Sequence, residues 1–197
     1  MSAVTLMADI VILNMFLVVA CLPVVTVGAA VRAASVVVRD MVQGIGSRYW
    51  LQFLRELTSQ WKPATLYWLL LVAVLGLLAY QQFVVFQAGV SGFALTVIQA
   101  LVLSGLFLIL GITVWFFGLA SSREAPFGPL LIDATLSTLR HLPHTLASVI
   151  VLLAGVWAAV ALPIAWAVPL TFFLLPALTL YVIRLIIAGP LGETLGA

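Results

Sequence analysis

Residues 64–86 read ATLYWLLLVAVLGLLAYQQFVVF, an apolar run without a single charge. As a helix it exceeds the roughly 20 residues needed to cross ~30 Å of hydrocarbon. Lys62-Pro63 stands directly before it, and the turn-like Gln87-Ala88-Gly89-Val90-Ser91-Gly92 follows. Four further stretches share its character. They are 4–30, with Asp9 as its only charge, then 93–119, 145–164 and 167–188, the last carrying Arg184 near its end. The expected fold is all-α: a polytopic helical membrane protein of five transmembrane helices in one membrane domain, 1–197. Pro163 to Pro169 divides the last two stretches, and a re-entrant hairpin made of them is the four-span alternative.

The rest of the composition agrees. Hydrophobic residues make up 65% and charged residues 7%, where soluble domains carry about 25% charge. Fourteen charged side chains cannot cover a water-soluble surface, so the lipid bilayer is the expected solvent. No basic segment is interleaved with aromatics, so no nucleic-acid role is expected. Cys21 stands alone, which rules out an intrachain disulfide. Val18-Val19-Ala20-Cys21 has the outline of a lipidation site, but Met1 to Ala8 lacks the basic residues a secretory signal needs.

Charge sets the orientation. Five crossings place 31–63, 120–143 and the C-terminus on one side, and all eight Lys and Arg fall there or at its edge. Cytoplasmic loops carry the excess of Lys and Arg. The N-terminus is therefore expected outside and the C-terminus in the cytoplasm. Both cytoplasmic segments have helical periodicity. Trp50, Phe53, Leu54, Leu57 and Trp61 oppose Arg48, Gln52, Arg55, Ser59 and Lys62, the pattern of a helix lying in the membrane interface. Arg32, Ser35, Arg39 and Gln43 make a shorter polar stripe before it. Pro129 to Leu142 repeats the design, with Asp133, Ser137 and Arg140 on its polar side. Pro63-Ala64-Thr65-Leu66 and Pro143-His144-Thr145-Leu146 share Pro-x-Thr-Leu, which is compatible with an internal duplication. Each proline is expected to turn a corner at the residue before it.

Polar residues inside a membrane are the default functional candidates. Asn14, Gln99 and Asp9 are the candidates for an intramembrane polar site in the outer half, weighed against simple interhelical hydrogen bonding. Pro23 predicts a kink that frees the Val19 carbonyl. Arg48, Arg55, Lys62 and Arg140 are the candidates for a cytoplasmic docking face. His141 and His144 lie near Asp133 in sequence, but Pro143 separates them, so no metal site and no cofactor are expected. No phosphate-binding loop, nucleophile elbow or spaced carboxylate pair occurs. Glu124-Ala125 is followed by Gly128 too soon for the coupling loop of an importer permease. An enzyme is not expected.

Leu13-Asn14 followed by Leu22-Pro23-Val24-Val25-Thr26-Val27-Gly28 resembles the YesL-like family of uncharacterised bacterial integral membrane proteins. The likeness continues through Phe53, Trp61-Lys62, Ala64-Thr65-Leu66 and Trp68, and returns at Leu139-Arg140-His141-Leu142-Pro143-His144-Thr145-Leu146. Ala29 and Ala30 stand where the family often has a proline after the glycine. The resemblance implies a multi-pass protein of the bacterial cell membrane. It further implies an accessory role in carbohydrate uptake, beside the subunits of a binding-protein-dependent sugar importer, with no catalytic residue to carry over. The rival expectation is a small-solute transporter or channel formed by homo-oligomerisation.

Overall fold

The computed structural model describes residues 3–46 and 48–194. Among these described residues nine α-helices follow in order: α1 Ala3–Cys21, α2 Val27–Val42, α3 Tyr49–Thr58, α4 Trp61–Gln87, α5 Gly92–Ser122, α6 Phe127–Arg140, α7 Leu142–Ala161, α8 Ile164–Phe173 and α9 Leu175–Ala188. Four of them (α1, α4, α5 and α7) are long and apolar enough to span a bilayer, and α8 with α9 makes a fifth such stretch bent by 57°. The protein is a polytopic helical membrane protein.

The stretch 4–30 is not one helix. Pro23 has no N–H to give back to Val19, so α1 stops at Cys21. The Leu22 N–H takes the Val19 carbonyl instead, at 3.2 Å. The Thr26 hydroxyl donates to the Ala20 and Pro23 carbonyls at 2.6 and 2.8 Å, satisfying groups that the break exposes. One turn of 3-10 helix, Val24–Thr26, leads into α2. The expected kink is in fact a reversal: α2 returns along α1, and Ile10, Leu13 and Leu17 share a core with Ala30, Ala33, Val37 and Met41.

Residues 31–42, expected at the interface, are instead the centre of the protein. Helix α2 packs against α1, α3, α4, α5 and α9. Its stripe of small residues explains why. Ala30, Ala33, Ala34 and Val37 are fully buried, and Gly28 lies so close to α4 that an added Cβ would stand 2.3 Å from the Ala64 carbonyl oxygen. Its polar stripe also points inward. Arg32 is 5% exposed; its guanidinium donates to the Glu56 and Ser59 carbonyls, at 3.3 and 2.7 Å, and pairs with the Glu56 carboxylate at 3.3 Å.

The corners fall earlier than proline alone suggests. The chain turns at Gln60, in the left-handed region at φ 47°, and α4 already begins at Trp61. Pro63 sits within the first helical turn, where its missing N–H has no partner to lose. His141 makes the equivalent corner before α7. There Trp115 Nε1 donates to the Thr145 hydroxyl at 2.9 Å, and Thr145 donates on to the Thr138 and His141 carbonyls. A Cβ on Gly111 would meet the methyl groups of both threonines at 2.7 Å.

The expected break between the last two stretches is present at Leu162–Pro163, and a second, unexpected break falls at Leu174, with Pro169 inside α8. Pro176 cannot donate to the Phe172 carbonyl, and a side chain from α1 takes up what the break releases.

Gly28→Ala is expected to lower stability by about 1–3 kcal/mol through overpacking of α2 on α4. Gly76→Ala, where nothing lies within 4 Å, should be neutral or slightly stabilising. Thermal unfolding of the two variants in one detergent compares them directly.

Candidate functional site

Asn14 is fully buried and works as a clamp on the broken helix. Its amide nitrogen donates to the Thr171 and Phe172 carbonyls at 2.9 and 2.8 Å, and its oxygen accepts the Ala177 N–H at 2.7 Å. The last carbonyls of α8 and an early N–H of α9 have no partner within their own helices. One carboxamide, with both donors and an acceptor, meets both needs. An apolar residue at position 14 would leave three backbone groups without their side-chain partner.

Gln99 and Asp9 do not join it. Gln99 donates to Gln82 at 3.0 Å across the exposed faces of α5 and α4. Asp9 lies near the start of α3. Tyr49 is enclosed there, and burial, followed by the charges of Asp9 and Asp40, raises its hydroxyl pKa above the ordinary value. The three expected residues therefore belong to three different places.

The eight basic residues divide into two sets. Four pair with carboxylates: Arg32 with Glu56 and Arg184 with Glu193 in the interior, Arg39 with Asp40 at its edge, and Arg123 with Asp133 on the exposed surface. Two of these continue into a network. Arg39 donates to the Ser121 carbonyl, and Gln52 donates to Asp40. Arg184, 3% exposed, donates to the Gly118 carbonyl at 3.0 Å and to the Ser121 and Ser122 hydroxyls at 2.9 and 2.8 Å. Sequence periodicity puts Arg32 and Arg39 on a polar stripe and Arg184 near the end of an apolar stretch. It misses the burial of Arg32 and Arg184 because Glu56, Gly118 and Ser121 lie on other helices.

The other set is Arg48, Arg55, Lys62 and Arg140. All are exposed, and none pairs with a carboxylate among the described residues. They project from the starts of α3 and α4 and the ends of α3 and α6. Glu124 lies beside Lys62 across a shallow surface pocket shared with Gln60, Pro126 and Phe127. His141 stacks on Trp115 at 5.4 Å between ring centroids, and His144 meets His141 edge-on at 6.2 Å. Asp133 is engaged with Arg123 and not with the histidines. No cluster of three metal-ligating side chains occurs among the described residues.

Between α1, α2, α5, α7 and the α8–α9 break lies a cavity of about 420 Å³. Leu17, Val31, Phe117, Leu152, Leu180 and Ile183 dominate its wall, so it offers few hydrogen bonds to a polar solute.

Residues 10–81 match the family described as "Protein of unknown function, DUF624". The match runs from within α1, through the reversal at Pro23 and the central α2, into α4. No curated protein and no solved structure matches the chain.

Asn14→Leu is expected to lower stability by about 1–3 kcal/mol, since buried groups lose their partners. Gln99→Leu, on an exposed face, should stay within about 0.5 kcal/mol. Limited proteolysis across residues 171–177 should show faster cleavage in the first variant only.

Proposed function

We propose that this protein is a non-catalytic accessory subunit of carbohydrate uptake. It sits in the bacterial cell membrane with its charged end in the cytoplasm and docks there on a binding-protein-dependent sugar importer. The single observation behind this reading is the division of the cations. Carboxylates pair with Arg32, Arg39, Arg123 and Arg184, whereas Arg48, Arg55, Lys62 and Arg140 are exposed and have no carboxylate partner among the described residues. Exposed charge contributes more to partner choice and association rate than to fold stability. The match over residues 10–81 to a family of unknown function accords with the resemblance to YesL-like proteins, and the importer partnership rests on that resemblance.

One observation favours the rival reading of a solute path. A broken helix beside a cavity is the arrangement that secondary transporters use for substrates. Here, however, Asn14 satisfies backbone groups at the break, and the cavity wall is largely apolar. The accessory reading is therefore preferred, and proteoliposomes holding this protein alone should show no sugar flux.

Co-purification in mild detergent tests the docking surface. The importer permease or its ATPase should accompany the wild-type chain. Reversal of Arg48, Arg55, Lys62 and Arg140 to Glu should reduce its recovery at least about tenfold, the order expected when several rim charges turn repulsive. The melting temperature should hardly change. Recovery of the wild-type protein alone, even after crosslinking, would defeat the proposal.

A further inference from the structure

We infer that α1 and α2 form a re-entrant hairpin that dips into the leaflet on the charged side, so that the start of α1 faces the same side as Lys62 and Arg123. This departs from the five-crossing expectation of an outside N-terminus.

Three sets of contacts fix the direction of α2 within the bundle. Gly28 touches Ala64, and the Trp68 indole N–H donates to the Val24 carbonyl at 2.8 Å, so α2 runs antiparallel to α4. Arg39 reaches Ser121 at the charged end of α5. Arg32 meets Glu56 and Ser59, while Asp40 meets Gln52, so α3 also runs antiparallel to α2. The C-terminal end of α2 thus lies at the charged end of the protein, and its N-terminal end points into the bilayer.

Helix α1 then comes back to the charged end. Phe16 stacks on Trp50 and lies against Phe53, each at 6.4 Å between ring centroids. Asp9, further toward the start of α1, lies within electrostatic reach of Tyr49. A first helix crossing from the opposite side would stand far from Trp50 and Tyr49.

Depth gives the same answer. The tip of the hairpin is level with Trp68, and from Trp68 to Gln87 helix α4 continues for about 28 Å. The tip therefore stops nearly a bilayer core short of the α4–α5 turn. Leu22, Val24 and Val25 are exposed at that tip, which suits hydrocarbon and would be costly in water.

Charge raises no objection. The first basic residue is Arg32, so the positive-inside rule orients the later helices and places the start of the chain only by counting crossings. With α4, α5, α7 and the bent α8–α9 pair as the crossings, every cation stays where it was. The inference does not depend on the importer partnership.

Protease protection tests it. A short neutral epitope tag placed ahead of Met1 should survive protease added to intact spheroplasts and disappear in inverted vesicles, as should a tag inserted after Gln60. A tag inserted after Gly89 should do the opposite. Loss of the Met1 tag in spheroplasts, loss on both sides, or survival in both would overturn the inference. Independently, in a Cys21→Ser background, Phe16→Cys with Trp50→Cys should crosslink in membranes to the majority of the protein. Absence of that crosslink in a monodisperse, folded preparation would also overturn it.

Discussion

Ser121 is where three helices are held together. Its carbonyl accepts from Arg39 of α2, its hydroxyl accepts from Arg184 of α9, and it belongs to the last turns of α5. Asp40 and Gln52 extend the network to α3, and Glu193 extends it past the end of α9. Desolvating these charges costs several kcal/mol per ion, and a buried pair often does no better than a well-packed apolar one. The network's value therefore lies in register more than in net stability. Sliding α2 along α5 would strand Arg39, and rotating α9 would strand Arg184. Apolar packing among Ala30, Ala33 and Val37 tolerates small slips that these charges do not.

Because α2 occupies the centre, neighbouring elements must adapt to it. Gly28 permits the close approach of α4. Pro23 turns the chain so that α1 covers a second face, and Asn14 then arrives opposite Leu174, where α8 ends. The two breaks in the fold are coupled in this way: reversal of the chain at Pro23 supplies the carboxamide that closes the break before Pro176. The result is compact around the charged end. Residues 72–110 of α4 and α5, by contrast, extend outward with Leu77, Phe86, Phe93 and Leu101 open to lipid.

The separation of the cations carries the functional reading. Arg39 and Arg55 look alike in a periodicity plot, both basic and both on a polar stripe. One is pinned between Asp40 and Ser121; the other has no carboxylate partner among the described residues. The difference lies in what stands opposite each stripe, and that is a property of helices distant in sequence. The same holds for Asn14 and Gln99, which share a residue class and an expected depth. Asn14 caps a buried break, whereas Gln99 makes a single bond on an exposed face.

Much was legible in the chain itself. Apolar runs longer than a bilayer is thick dictate helices in lipid, because backbone polar groups have no other partner there. The approximate extents of α4, α5 and α7, and the helical character of α3 and α6, follow from length and periodicity. The polar stripes that carry Arg48, Arg55, Lys62 and Arg140 are legible too, but the like stripe of Arg32 and Arg39 turns inward, so periodicity does not by itself decide exposure. Local patterns did not reveal that the first stretch doubles back, that α2 is central, or that the last break falls at Leu174. Each depends on one segment meeting another far away in sequence: Gly28 with Ala64, Arg39 with Ser121, Asn14 with Ala177. Periodicity shows which residues share a face. Only the assembled helices determine what that face meets.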